Sequence, residues 1–270
     1  MDNLLSVFSY SFMVNALIAG ALISVCAALL GVILVLKRYS MIGDGLSHVG
    51  FGAMSIATAL GLSPLSIAIP VVTISALMLM RISTNSKIKG DAAIGLISTG
   101  ALAFGIIIVS VAGVNTDLNS YLFGSILSLS DTDMTLSVVL CAVVVLMYIV
   151  LYNKIFAITF DESFASASGI KTGIYNSVIA VLSAVTIVLG MRMMGALLIS
   201  ALIIFPALTA MRVFKTFKTV SVFSVIIALV CFFAGMMISF WLSTPAGATV
   251  VAVNIIVFIV FSIIGFIKTH

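Results

Sequence analysis

The sequence predicts an all-α, polytopic membrane protein of about 8–9 transmembrane helices, and three observations carry that prediction. Of its 270 residues, 63% are hydrophobic and only 7% are charged, whereas a soluble domain has about 25% charged residues. The mean hydropathy is +1.40. The apolar residues form long, uniform runs rather than the alternating segments of a membrane barrel. Since no polar segment is long enough to build a soluble domain, we expect one membrane domain over 1–270.

Apolar segments follow one another along the chain, and each is read as a helix that lies in the bilayer. They cover 11–36, 42–62, 64–80, 92–114, 134–153, 173–191, 194–211, 219–243 and 246–267. Pro206 lies inside the short segment 194–211, where it predicts a kink or a break of the helix. That segment is therefore consistent with a helix that only partly crosses the membrane.

Lysine and arginine residues occupy alternate connections between these segments, which predicts the orientation of the chain. One set of connections, together with the C-terminal end, holds Lys37, Arg38, Arg81, Lys87, Lys89, Lys154, Lys171, Arg212, Lys215, Lys218 and Lys268. The other set holds only Arg192. By the positive-inside rule, the N-terminus lies outside and the C-terminus in the cytoplasm. The pI of 9.1 therefore reflects topology, and we expect no nucleic acid partner.

Asp44 and His48 are the ionisable residues that most need an explanation, because they stand at the start of the second apolar segment. Residues at i and i+4 share one face of a helix. Ionisable groups inside a membrane are costly and usually functional. A carboxylate oxygen and an imidazole nitrogen are ligands of Zn²⁺ and Mn²⁺. A proton relay would use the same two groups, and His48 also fits a structural hydrogen bond within a helix bundle.

Four glycines surround this pair, namely Gly43, Gly45, Gly50 and Gly52. Such residues allow the backbones of two helices to approach closely. They also permit local unwinding of a helix beside an ion. The pair lies near the predicted cytoplasmic start of its helix, just after Lys37 and Arg38.

The long outer connection, 115–133, is acidic: it holds Asp117, Asp131 and Asp133 and has no lysine or arginine. An acidic outer surface attracts cations or a basic docking partner. Ordinary helix caps and solvated loop residues explain the same three aspartates equally well.

The long inner connection, 154–172, predicts a short amphipathic helix. Asp161 and Glu162 can cap it, Phe164 lies on its apolar face, and Gly169 can end it in the left-handed conformation. A short cytoplasmic helix with an apolar face suits docking into a groove on another protein. An ordinary loop is the alternative.

The apolar segments also contain isolated asparagine and cysteine residues. We expect the asparagines to form hydrogen bonds between helices, because lipid offers no partner. The cysteines have no C-x-x-C spacing and are typical of small buried hydrophobic residues. The residues are Asn15, Asn176 and Asn254, and Cys26, Cys141 and Cys231.

Six strings along the chain resemble, in the same order, the membrane subunit of ATP-binding-cassette importers for zinc, manganese or iron. The match is specific because all six occur in register. They are 36–48 (Leu-Lys-Arg-Tyr-Ser-Met-Ile-Gly-Asp-Gly-Leu-Ser-His), 89–96, 121–127 (Tyr-Leu-Phe-Gly-Ser-Ile-Leu), 160–170, 195–210 and 245–249 (Pro-Ala-Gly-Ala-Thr).

The resemblance implies a type II importer-like permease that forms a homodimer, with the pathway along the twofold axis. Two cytoplasmic ATPase subunits would drive it, and an extracellular or periplasmic metal-binding protein would deliver the ion. The cell (inner) membrane of a bacterium or archaeon would hold it, in contact with lipid. The family's metal-contacting pair corresponds to Asp44 and His48. Its ATPase-coupling helix corresponds to 160–170, with Phe160, Asp161, Glu162, Phe164 and Gly169.

The chain itself is expected to have no catalytic activity, because it lacks the G-x-x-x-x-G-K-[ST] phosphate loop. We expect no permanently bound cofactor. The transported ion would be a divalent transition metal, with zinc ranked ahead of manganese. Two alternatives remain at this point: a proton-coupled secondary transporter, and an ATP-binding-cassette permease for a metal chelate.

Overall fold

The computed structural model describes residues 11–85, 90–113, 124 and 131–269, and all regular elements within them are α-helices. Asp117 lies outside the described residues, as do Lys87, Lys89 and nearly all of 121–127. The helices are α1 (Ser11–Leu36), α2 (Ile42–Ala59), α3 (Pro64–Asn85), α4 (Gly90–Ala112), α5 (Asp131–Val150), α6 (Tyr152–Phe160), α7 (Glu162–Ala167), α8 (Thr172–Met194), α9 (Ala196–Val213), α10 (Phe217–Leu242) and α11 (Ala246–Thr269).

Among the described residues, 8 helices are long and apolar enough to cross a membrane: α1, α3, α4, α5, α8, α9, α10 and α11. The predicted all-α membrane fold is confirmed. The segment predicted at 42–62 forms α2, which is not among these 8. Glycine, serine, Asp44 and His48 lower its hydropathy, and most of its residues are buried by protein. A helix covered by protein does not need the apolar surface that contact with lipid demands.

Of the kink or break predicted at Pro206, the break is wrong, because α9 continues through this residue from Ala196 to Val213, whereas the kink stays a prediction. Residues on both sides of the proline, including Ile203 and Ala207, are fully buried. Proline is tolerated in a membrane helix when neighbouring helices hold the chain in place. α9 also has the length and hydropathy of a complete span.

The helices belong to two compact units. Within the described residues, one unit holds 11–32, 124, 131–146 and 189–269, and the other holds 33–85, 90–113 and 147–188. The first unit contains α9, α10 and α11 with most of α1. Its helices pack at small residues: a Cβ on Gly235 of α10 would lie 2.5 Å from the backbone of Val250 on α11. The second unit contains α2, α3, α4, α6, α7 and most of α8.

In the second unit, the glycines of α2 bring its backbone against α4. A Cβ on Gly52 would lie 2.6 Å from the carbonyl oxygen of Ala101, and one on Gly105 would lie 2.8 Å from Gly52 Cα. Nearer the pair of ionisable residues, Gly45 packs on the side chain of Ile94. The predicted close approach of helices is confirmed, whereas the alternative of local unwinding is not seen, since α2 is continuous. This packing fixes the helix that carries Asp44 and His48.

Replacing Gly52 by alanine is expected to lower the free energy of unfolding by about 1–3 kcal/mol, because backbone atoms of α4 would have to move. Gly100→Ala is the matched control: it lies on α4, and a Cβ added there would have nothing within 4 Å. This control should be neutral or slightly stabilising, since alanine favours helix over glycine. Thermal unfolding in detergent, followed by circular dichroism, compares the two variants. Equal melting temperatures would contradict the proposed packing.

The isolated polar residues behave differently from one another. Asn176 forms a hydrogen bond to another helix, as predicted, through Glu162 of α7. The prediction for Asn254 is wrong: its side-chain nitrogen donates to Val250 O in its own helix, 2.9 Å away. The reason is that a buried asparagine on a helix can reach its own backbone. Asn15 is exposed. The three cysteines are buried, as predicted.

Candidate functional site

Asp44 and His48 lie together on one face of α2. His48 Nε2 is 3.6 Å from Asp44 Oδ2, with the His48 side chain 25% exposed and the Asp44 side chain 48% exposed. This separation is too long for a good hydrogen bond. A tetrahedral metal with ligand bonds of 2.0–2.2 Å would hold two ligand atoms about 3.4 Å apart. The pair is therefore spaced to chelate one ion from one side.

A tight turn between α1 and α2 positions this pair. Arg38 takes the left-handed conformation, with φ of 64°, and Tyr39 N donates to Leu34 O at 2.8 Å. This is the hydrogen bond by which a Schellman motif closes a helix. Ile42 N then donates to Tyr39 O at 3.0 Å and starts α2. Asp44 stands in the first turn of that helix, two residues later.

Asp44 and His48 offer two donor atoms that could serve as metal ligands. Among the described residues, no group of three or more histidine, cysteine, aspartate or glutamate side chains is arranged to hold a metal ion. A structural zinc site normally has four protein ligands. Within the part of the chain that the structure describes, the pair alone therefore does not form a closed structural zinc site.

The predicted short helix of the inner connection is confirmed as α7. Asp161 caps it, because Phe164 N donates to Asp161 Oδ1 at 2.8 Å. Gly169 ends the motif with φ of 82°. Ala165 of α7 is fully buried, whereas Phe164 is 67% exposed and Phe160 is 58% exposed. The Phe160 and Phe164 side chains thus lie on the surface on either side of the corner that α6 and α7 form at Asp161.

The sequence-based interpretation missed two features of this segment. The residues before the corner form a separate helix, α6, whose Phe156 ring packs 4.9 Å from that of Phe160, between centroids. The spacing of the two phenylalanines at i and i+4 could have revealed it. The prediction that Glu162 caps α7 is wrong, since its carboxylate instead bonds to Lys37 and Asn176.

The outer acidic connection is only partly described. Asp131 begins α5, and its side chain is outside the described set. Asp133 is buried, with its side chain 2% exposed, and Arg192 Nη1 donates to its Oδ1 at 2.7 Å. Asp133 therefore adds no free negative charge to an outer surface. Arg192 is the one basic residue in the predicted outer connections. Its ion pair with Asp133 joins the end of α8 to the start of α5.

Replacing Arg192 by methionine would leave the Asp133 carboxylate buried without this cation. We expect a loss of about 2–3 kcal/mol in the free energy of unfolding, less than for a fully buried pair because Arg192 is 38% exposed. The double variant with Asp133→Asn should recover part of that loss, because the charge is gone. Unfolding in detergent measures both. Equal stability of the wild type and Arg192→Met would refute the structural role of the ion pair.

The sequence pattern of the ABC 3 transport family matches residues 9–265. The chain belongs to this family. A solved structure described as PsaBC from Streptococcus pneumoniae in complex with Fab matches with a TM-score of 0.83 and 30% identity, over 95% of this chain and 92% of that one. The family resemblance noted in the sequence is thereby confirmed.

Curated relatives of this family member carry names that refer to different metals. The manganese import system permease protein ScaB of Streptococcus gordonii is 32% identical over 93% of this chain and 90% of its own length. A probable iron transport system membrane protein of Haemophilus influenzae is 30% identical, with 96% and 92% covered. The high-affinity zinc uptake system membrane protein ZnuB of the same organism is 27% identical, with 93% and 96% covered.

Proposed function

We propose that the chain is the permease subunit of an ATP-driven importer of a divalent transition metal, and that Asp44 and His48 contact the ion in transit. The observation that carries this proposal is the 3.6 Å separation of Asp44 Oδ2 and His48 Nε2 in a member of a transport family. Oxygen and nitrogen donors at chelating distance are a metal-binding arrangement. The names of the relatives support the same class of substrate.

A second copy of the chain completes the site in this proposal. Two Asp44–His48 pairs that face each other across a twofold axis provide four ligands, which is the number a zinc ion takes. Each pair is held on its own helix, and both side chains are partly exposed. Such a site opens when the two copies separate. A transporter needs this property, because its ion must both bind and leave.

Zinc and manganese are the candidate substrates. The tetrahedral spacing of the two ligand atoms favours zinc, which we rank first. The manganese import permease of Streptococcus gordonii favours manganese, and the Asp44 carboxylate suits that ion as well. No cofactor remains permanently bound in this mechanism, since the metal is the cargo.

The exposed corner of α6 and α7 is the proposed contact with the ATPase subunits. Phe160 and Phe164 project from it into solvent, whereas Ala165 of α7 is buried and packs against the rest of the protein. Large exposed aromatic side chains on a short helix fit a groove on a partner protein. The orientation predicted by the positive-inside rule places this corner in the cytoplasm and the N-terminus outside. A metal-binding protein delivers the ion on the outer side. The chain remains non-enzymatic, and the partners hydrolyse ATP.

Uptake of radioactive zinc and manganese tests the proposal in cells that lack their own importers and express the chain with its ATPase and binding-protein partners. Uptake should require ATP and all partners, with each metal competing for entry of the other. ATP-independent uptake by the chain alone in vesicles would instead indicate a secondary transporter with a proton relay at Asp44 and His48. Failure to move either metal in the complete system would exclude the proposed substrate class.

A further inference from the structure

The side chain of Lys37 is buried, which is unusual for a lysine. This residue directly follows α1, and its side chain is only 7% exposed. Lysine is almost never fully buried unless its charge is paired. Here Lys37 Nζ donates to Asn176 Oδ1 at 2.6 Å and to Glu162 Oε2 at 3.1 Å. The ammonium group therefore joins three separate segments of the second unit.

Asn176 closes the arrangement into a triangle. Its Nδ2 donates to Glu162 Oε1 at 2.7 Å, so both oxygens of the Glu162 carboxylate are held. Hydrogen bonds to ionised groups are shorter and stronger than neutral ones. Glu162 is the first residue of α7, and Asn176 lies in α8. Displacement of α7 must either break these bonds or carry Lys37 with it.

Lys37 also begins the tight turn that leads to the candidate metal site. Backbone hydrogen bonds donated by Tyr39 N and Ile42 N hold this turn. Lys37 is therefore rigidly connected to the first turn of α2. Asp44 stands in that first turn. A displacement of Lys37 therefore moves the N-terminal end of α2, where the Asp44 carboxylate lies.

We propose that Lys37 is a positioning residue that transmits movement of α7 to Asp44 and His48, so that ATP hydrolysis opens and closes the metal site. The inference rests on the proposed function of α7 as the contact with the ATPase subunits. It assigns Glu162 and Asn176 as the two partners through which the movement passes. None of the three residues touches the metal in this scheme.

The test uses the complete complex with its ATPase subunits, reconstituted in lipid vesicles, and compares Lys37→Met with the wild type. Lys171→Met is the matched control, because Lys171 is an exposed lysine just beyond α7. We expect Lys37→Met to hydrolyse ATP at nearly the wild-type rate while the zinc transported per ATP falls about tenfold. The control should keep the wild-type ratio, and the affinity of the permease for zinc should be unchanged in both.

The zinc-to-ATP ratio separates coupling from a merely structural role. If Lys37→Met keeps the wild-type ratio, or loses transport only in proportion to ATP hydrolysis, the proposal is overturned. Should this variant fail to assemble, Glu162→Met decides by the same criteria, since it removes both bonds that α7 makes to Lys37 and Asn176 and leaves the lysine in place. Failure of the wild type to move zinc with ATP would instead count against the proposed function itself.

Discussion

Alanine at Asp44 or at His48 is expected to reduce the initial rate of metal uptake by at least about 100-fold. In the proposed site, each substitution removes one of two ligands per chain, and therefore two of four across the proposed twofold axis. Loss of groups that only support a ligand already costs about 10–100-fold in metal affinity, so loss of the ligand itself should cost more. The measurement is radioactive zinc or manganese uptake at limiting metal concentration.

Thr58→Ala is the control for these variants, because Thr58 lies on the same helix, is exposed, and its side chain donates to Met54 O in that helix. It should transport like the wild type. The amount of each variant in the membrane, measured by immunoblotting, separates loss of transport from loss of protein. Undiminished uptake of both metals by Asp44→Ala and His48→Ala would refute the assigned metal role.

Phe164→Asp is expected to have the next largest effect, by separating the permease from its ATPase subunits. Phe164 is 67% exposed, so the change should leave folding intact. An aspartate buried in an apolar groove loses its hydration without a partner, which is costly. Loss of a central aromatic contact alone costs about 2 kcal/mol or more, or about 30-fold in affinity. Co-purification of the ATPase subunits and metal-stimulated ATP hydrolysis should both fall accordingly.

Ser168→Asp is the matched control for Phe164→Asp, since it adds the same charge at an exposed polar position beside the same helix. It should retain the ATPase subunits. If Phe164→Asp also retained them at wild-type affinity, α7 would not be the docking helix, and the surface contact would have to lie elsewhere on the chain.

Local signals made much of the fold predictable. The positions of the membrane helices follow from long apolar runs, because transfer into lipid is a sum over neighbouring residues. The cap at Asp161 and the left-handed Gly169 are likewise local, since both act within one helical turn. Asp44 and His48 share a helix face by their spacing alone. The structure agrees with the sequence at each of these points.

Contacts between distant residues could not be predicted in this way. Lys37 and Asn176 are 139 positions apart, and Asp133 and Arg192 are 59 apart, so no pattern in a single sequence pairs them. The wrong break at Pro206 has the same origin. Local propensity favours a break, and tertiary packing around the proline overrides it. The low hydropathy of α2 likewise makes sense only once the surrounding protein is known.

Titration of the purified permease with Zn²⁺ tests the central claim most directly, because it requires neither ATP nor partners. Calorimetry on the wild type should show one ion bound per two chains, and Asp44→Ala and His48→Ala should each abolish that binding while Thr58→Ala preserves it. Zinc binding of unchanged stoichiometry and affinity in both site variants would contradict the assignment of Asp44 and His48 as the metal ligands.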